Sequence, residues 1–251
     1  MELWEGLVLA LAGGVAGFMN VMAGGGSLIT LPILVFMGMD GPVANGTNRV
    51  AILVQNITAT ASFSGQGLSD FKLSLSLGLC ALPGAALGAY LGTKIGGVWF
   101  NRILAGVMIG VLVLMSRKKR NPEAVVGLQS TGAGRLVPAH LLMVAAGIYG
   151  GFIQAGVGFI LMAILHKVLG LDLVRVNMHK VFIVGTYTLV ALFIFAAKGE
   201  VLWIAGAVLA LGNALGGWLA TRLAIKRGEG LIRIILYLAL VVMAVKLILT
   251  Y

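Results

Sequence analysis

Residues 23–32 read AGGGSLITLP, and 132 positions further on residues 155–159 read AGVGF. Each stretch lies inside a long apolar run, where successive small residues let a helix break within a membrane. Residues 6–37 carry no charge at all. As one straight helix they would measure ~48 Å at ~1.5 Å per residue, against a hydrocarbon core of ~30 Å. Gly24, Gly25 and Gly26, followed by Pro32, therefore predict a kink or a fold-back into two half-helices.

The rest of the chain supports a membrane setting. Of its 251 residues 60% are hydrophobic and 10% charged, with a mean hydropathy of +1.05, which places it outside soluble globular composition. The expected class is an all-α polytopic membrane protein. Residues 1–6 carry Glu2 and Glu5 and no basic residue, so they lack the positive region of a cleavable signal, and the first run is expected to stay in the mature protein. Cys80 is the only cysteine; it excludes an internal disulfide and reads as a small packing residue. The net charge of +10 falls mostly between apolar runs. That pattern indicates orientation in the bilayer and contact with anionic membrane lipid, not nucleic acid.

Further apolar runs cover residues 44–64, 73–93 and 98–115, then 141–165, 176–197, 201–221 and 231–249. Between the two sets lie Arg117, Lys118, Lys119, Arg120 and a polar linker reaching about Pro138. This gives an N-terminal transmembrane repeat over 1–116, a basic linker over 117–138 and a C-terminal repeat over 139–251. An offset of 132 aligns Gly24 with Gly156, Gly26 with Gly158, Gly38 with Gly170, Asp40 with Asp172 and Asn45 with Asn177. It also aligns Gly67 with Gly199, Gly84 with Gly216 and Lys94 with Lys226. One gapless offset over that length indicates an internal duplication.

Charge sets the orientation. With the linker cytoplasmic and every run crossing once, the segment holding Arg222, Lys226 and Arg227 would fall outside, against the positive-inside rule. If the first run of each half turns back instead, the basic segments are cytoplasmic, and Glu2, Glu5, Asp40, Lys198 and Glu200 lie outside. The repeats are then inverted, as in many secondary transporters. The rival arrangement is eight simple spans with parallel repeats. Gly84, Gly88 and Gly92, spaced four apart, form a small-residue face that suits close helix packing, either inside one protomer or in a homodimer.

All eight acidic residues fall at the ends of runs or between them. That disfavours a buried carboxylate proton relay, a sodium site or a divalent-cation path. The intramembrane ionisable candidates are Arg49, His179 and Lys180, which points to an anion. Asn45, Asn48, Arg49, Gln55 and Asn56 share one broad helical face, with Asn177, Lys180, Tyr187 and Thr188 at similar spacing in the second half. With backbone N–H groups at the glycine breaks, these donors suit an oxyanion. The alternative for Arg49 and Lys180 is snorkelling to headgroups; for His179 it is a place at headgroup level. Asn20 and Gln154 precede the glycine clusters and either bond between helices or face a cavity. A phosphate-loop reading fails, since no Lys-Ser/Thr follows the glycines. Trp4, Trp99 and Trp203 suit an interfacial belt. No nucleophile–base pair or metal-ligand spacing is present within the runs, so an enzyme, a metal and a cofactor are not expected.

AGGGSLITLPIL, ANGTNR at residues 44–49 and GGFIQAGVGF at residues 150–159 resemble the TauE/SafE family of membrane transporters, the sulfite exporters, over essentially the whole chain. The resemblance implies export of sulfite, sulfoacetate or another small organosulfonate across a bacterial inner membrane. By it Asn45, Thr47, Asn48 and Arg49 carry over as a motif; Asn177 is retained in the second copy, where His179, Lys180 and Val181 replace the other three. The candidate substrate-binding set is Asn20, Gly24, Gly25, Gly26, Ser27, Asn45, Thr47, Asn48, Arg49, Gln154, Gly156, Gly158, Asn177, His179 and Lys180. The expected function is a secondary transporter holding a small anionic substrate between two repeats and working by alternating access. An anion channel and a non-transporting structural subunit are the competing classes.

Overall fold

A computed structural model describes residues 2–116 and 133–224. These residues form helices and turns, with no strand among them. The helices are α1 (Leu3–Met22), α2 (Ser27–Phe36), α3 (Gly41–Gly65), α4 (Phe71–Gly92), α5 (Gly97–Ser116), α6 (Ala133–Phe152), α7 (Val157–Ala163), α8 (Leu173–Ala197) and α9 (Trp203–Ala224). A π turn, Ile164–Val168, prolongs α7. Most of the basic linker, Lys226, Arg227 and the run at 231–249 lie outside the described residues. α6 takes in residues 133–138, which the sequence reading assigns to the linker.

Helices α1, α4, α6, α8 and α9 are long and apolar enough to cross a membrane. The chain is thus a multi-pass helical membrane protein. α3 is as long as α8, at 25 residues, yet carries Asn45, Thr47, Asn48, Arg49, Gln55 and Asn56 on its buried side. A helix whose polar side chains face inward must find partners for them in the protein.

Helix ends follow local chemistry. Asp172 Oδ1 accepts from the N–H groups of Val174 and Arg175, both at 3.0 Å, and Asp70 Oδ1 accepts from Leu73 N–H at 3.2 Å, each filling donors left open by a first turn. Gly67 and Gly199 follow α3 and α8 with φ of +77° and +75°. The next N–H reaches back in each case, Leu68 to the Phe63 carbonyl and Glu200 to the Phe195 carbonyl, closing the helix in a left-handed cap. Pro32 does not interrupt α2; the break lies at residues 23–26.

α1 packs along α9, and α6 packs along α4. α3 contacts α9, α8 contacts α4, and α3 crosses α8. This pattern is unchanged when the halves are exchanged. Glycines make the long contacts close: a Cβ on Gly84 or Gly88 would stand 2.2 or 2.0 Å from the carbonyl oxygens of Val144 or Ile148, and one on Gly216 would stand 1.9 Å from that of Gly14. The Gly84 to Gly92 face is therefore used inside the protomer, against α6.

Candidate functional site

The two breaks meet. α1 stops at Met22, Gly24 takes φ of +82°, and α2 begins after Gly26. Gly26 sits so close to α1 that a Cβ on it would lie 2.3 Å from the Ala16 carbonyl, although a straight helix would place the two residues ~15 Å apart. The chain therefore folds back. In the second half Gln154 and Gly156 take φ of +63° and +72° between α6 and α7, and Tyr149 Oη donates to the Ala155 carbonyl at 2.5 Å, bracing the turn. A Cβ on Gly24 would stand 2.5 Å from Gly158 Cα, and one on Gly158 only 2.2 Å from Gly24 Cα. Glycine at both positions lets backbone touch backbone.

Arg49 and Lys180 each reach from one half to the helix end of the other. Arg49 lies eight residues into α3, ~12 Å along its axis, and is fully buried. Its Nη1 donates to the Gly150 carbonyl at 3.2 Å and to Gln154 Oε1 at 3.4 Å. Its Nη2 donates to Asn45 Oδ1 at 3.3 Å and to the Gly151 carbonyl, and the guanidinium lies 4.7 Å over the Phe195 ring. Asn45 Nδ2 adds a bond to the Phe152 carbonyl at 2.7 Å. Lys180, also buried, donates to the Val21 carbonyl and to Asn177 Oδ1, both at 2.8 Å. These carbonyls are the last of α6 and α1, which no helical N–H satisfies and where the helix dipole is negative. Neither cation snorkels; both turn inward.

Around this centre, Asn48 binds α3 to α2: its Nδ2 donates to Ser27 Oγ at 3.1 Å, and Thr30 Oγ1 donates to its Oδ1 at 2.6 Å. Asn20 Nδ2 donates to Gln55 Oε1 at 2.6 Å, joining α1 to α3. Gly25 accepts from Leu28 N–H through its carbonyl. Two members of the set lie elsewhere. Thr47 Oγ1 accepts from Leu202 N–H at 3.0 Å, seating the start of α9, and His179 Nδ1 is 2.7 Å from Ser74 Oγ on α4. Gly46 belongs with Thr47, since a Cβ there would meet the Glu200 carbonyl at 1.9 Å.

The set leaves out four residues that the structure brings in: Thr30, Phe195, Gln55 and Tyr187. Gln55 and Tyr187 are 132 apart, so the repeat offset applied to buried polar positions marks them. Phe195 pairs with Phe63 at the same offset, whereas Thr30 meets Met162 and carries no such signal. Buried polar atoms without a partner, among the described residues, are Arg49 Nε, Gln55 Nε2, Tyr187 Oη, Thr188 Oγ1 and both side-chain atoms of Asn213. Among the same residues no carboxylate pairs with Arg49; the ion pair present is Arg175 with Asp172, both exposed. No three His, Cys, Asp or Glu side chains gather there as a metal site.

A family model described as Sulfite exporter TauE/SafE matches residues 9–247. The chain is 28% identical over 239 residues to a probable membrane transporter protein, ORF9, of a Sinorhizobium species, covering 95% of this chain and 90% of the relative. It is 29% identical over 228 residues to a probable membrane transporter protein of Haemophilus influenzae, covering 90% and 88%. It is 27% identical over 249 residues to the probable membrane transporter protein YfcA of Escherichia coli K12, covering 96% and 88%. No solved structure matches.

Proposed function

Because this chain belongs to the TauE/SafE family of membrane transporters, we propose that it exports a small sulfur oxyanion, sulfite or an organosulfonate such as sulfoacetate, across a bacterial inner membrane. The observation that carries this reading is Arg49: a fully buried guanidinium whose partners among the described residues are all neutral. A buried cation without a counter-ion is costly, and the helix-end dipoles around it balance only part of the charge. A bound anion completes the balance.

Alternating access follows from the breaks. The repeats are inverted, and the anion lies near the bilayer midplane where the breaks cross. Three glycine pairs 132 apart, Gly24 and Gly156, Gly38 and Gly170, Gly67 and Gly199, share positive φ, and α3 and α8 begin and end 132 residues apart; both support a duplication. Rocking one repeat against the other exposes the anion first to the cytoplasm, where the basic linker lies, and then to the outside. Export of one negative charge gains ~2.3 kcal/mol per 100 mV of inside-negative potential.

The test is thermal unfolding of purified protein with sulfite, sulfate, sulfoacetate, taurine, phosphate and acetate, because a ligand of the folded state raises apparent stability by mass action. A saturable shift with sulfur oxyanions that is lost in Arg49→Ala is expected. Absence of any shift in the native protein would overturn the proposal.

A further inference from the structure

Tyr187 is one of the largest fully buried side chains in the protein, and its hydroxyl closes no hydrogen bond. A buried hydroxyl left without a partner is costly, by about 1–3 kcal/mol, so its retention asks for a function. Its position supplies one. The hydroxyl stands at the end of α6, only 2.7 Å from where a Cβ on Gly150 would be, and the carbonyl of that same Gly150 accepts from Arg49. Gln154 is the polar neighbour of both: its Oε1 accepts from Arg49 Nη1, and its amide interacts with the tyrosine hydroxyl without reaching hydrogen-bond geometry.

Arg49 spends its two terminal nitrogens on the end of α6, on Gln154 and on Asn45. Its remaining donor, Nε, is buried and open. The second break thus gathers a charged donor and a neutral donor, both wholly buried: Arg49 Nε has no protein acceptor, and Tyr187 Oη has only the Gln154 amide beside it, short of hydrogen-bond geometry. The equivalent place in the first half is built differently. Gln55 occupies the position of Tyr187, and its oxygen is taken by Asn20; Val181 stands where Arg49 would be.

We infer that Tyr187 Oη and Arg49 Nε are the two donors that hold the oxyanion head of the substrate, at the second break and not symmetrically between the repeats. This rests on the anion-export reading and deepens it. The ligand class is an anion whose head offers two adjacent oxygens, one facing a cation edge and one a phenol. Sulfite and sulfonate heads meet that requirement. Tyr187 is then a specificity-determining residue: an oxyanion head presents one oxygen to Arg49 Nε and a second to the hydroxyl, whereas a halide held against Arg49 is a single centre and leaves the hydroxyl unmet.

The experiment is calorimetric titration of the detergent-purified full chain with sodium sulfite and sodium sulfoacetate, using native protein, Tyr187→Phe and Arg49→Lys. Removing a hydrogen bond to a charged group predicts sulfite binding about 10- to 100-fold weaker in Tyr187→Phe, with chloride competition unchanged. The ligand-free variant should melt at or above the native temperature, because the lost hydroxyl had no partner. Arg49→Lys keeps the charge but not the Nε edge and should also weaken sulfite binding. If native protein binds sulfite and Tyr187→Phe binds it equally well, this inference is overturned and the export reading stands. If native protein binds no sulfur oxyanion, both fall. Should Tyr187→Phe fail to purify, a tyrosine difference absorbance on adding sulfoacetate to native protein replaces it, and its absence counts against the assignment.

Discussion

Substituting the glycines of the crossing breaks separates steric contact from backbone strain. A Cβ on Gly158 would stand 2.2 Å from Gly24 Cα and 2.5 Å from its carbonyl oxygen, whereas carbons pack at ~3.5–4.0 Å. The breaks must then part by more than about 1 Å, and overpacking of this kind costs ~1–3 kcal/mol. Gly158 does not have positive φ, so Gly158→Ala reports the clash alone. Gly38 has φ of +86° and nothing within 4 Å of a would-be Cβ, so Gly38→Ala reports only left-handed strain, ~1–2 kcal/mol. Gly24 combines both, with φ of +82° and Gly158 Cα at 2.5 Å. Gly24→Ala should therefore cost ~2–5 kcal/mol, and at ~2–4 °C per kcal/mol for a chain of this size it should show the largest fall in Tm of the three. Unfolding in detergent, followed by fluorescence, measures the order. A Gly158→Ala protein that melts with the native protein would refute the contact between the breaks, and with it the hinge on which alternating access depends.

Two further outcomes are expected. Lys180→Met keeps the apolar stem but leaves the Val21 carbonyl and Asn177 Oδ1 without their donor, costing about 1–3 kcal/mol; hydrogen exchange should rise in residues 19–24, and unchanged protection there would remove the cap. In a Cys80→Ala background, single cysteines at Glu5 and Asp40 should react with an impermeant maleimide in intact cells, while those at Asp70 and Asp172 should react only after permeabilisation. Labelling at Asp40 and Asp172, which the offset makes equivalent, from the same side would refute the inverted arrangement.

Much of the fold was legible because hydropathy and glycine act locally. Apolar length marked the spans, and the clusters at Gly24 and Gly156 marked where they stop. The offset of 132 carried over to helix bounds: α3 and α8, like α4 and α9, begin and end that far apart. The candidate site was legible only in part. Helical spacing placed Asn45, Asn48 and Arg49 on one face, and all three are buried there. The resemblance added Thr47 and an ionisable ring within a run added His179, yet they bond to Leu202 and Ser74, away from the breaks.

The sequence by itself determined the membrane class, the two broken helices and the buried polar face of α3, because each depends on residues within a few turns of one another. Only the tertiary structure decided what that face meets. Arg49 bonds to a carbonyl 101 residues away and Lys180 to one 159 residues away, each closing the helix end of the opposite half. Periodicity says which side chains share a face of a helix; it does not say which helix lies opposite, and here that neighbour determines what the cations hold.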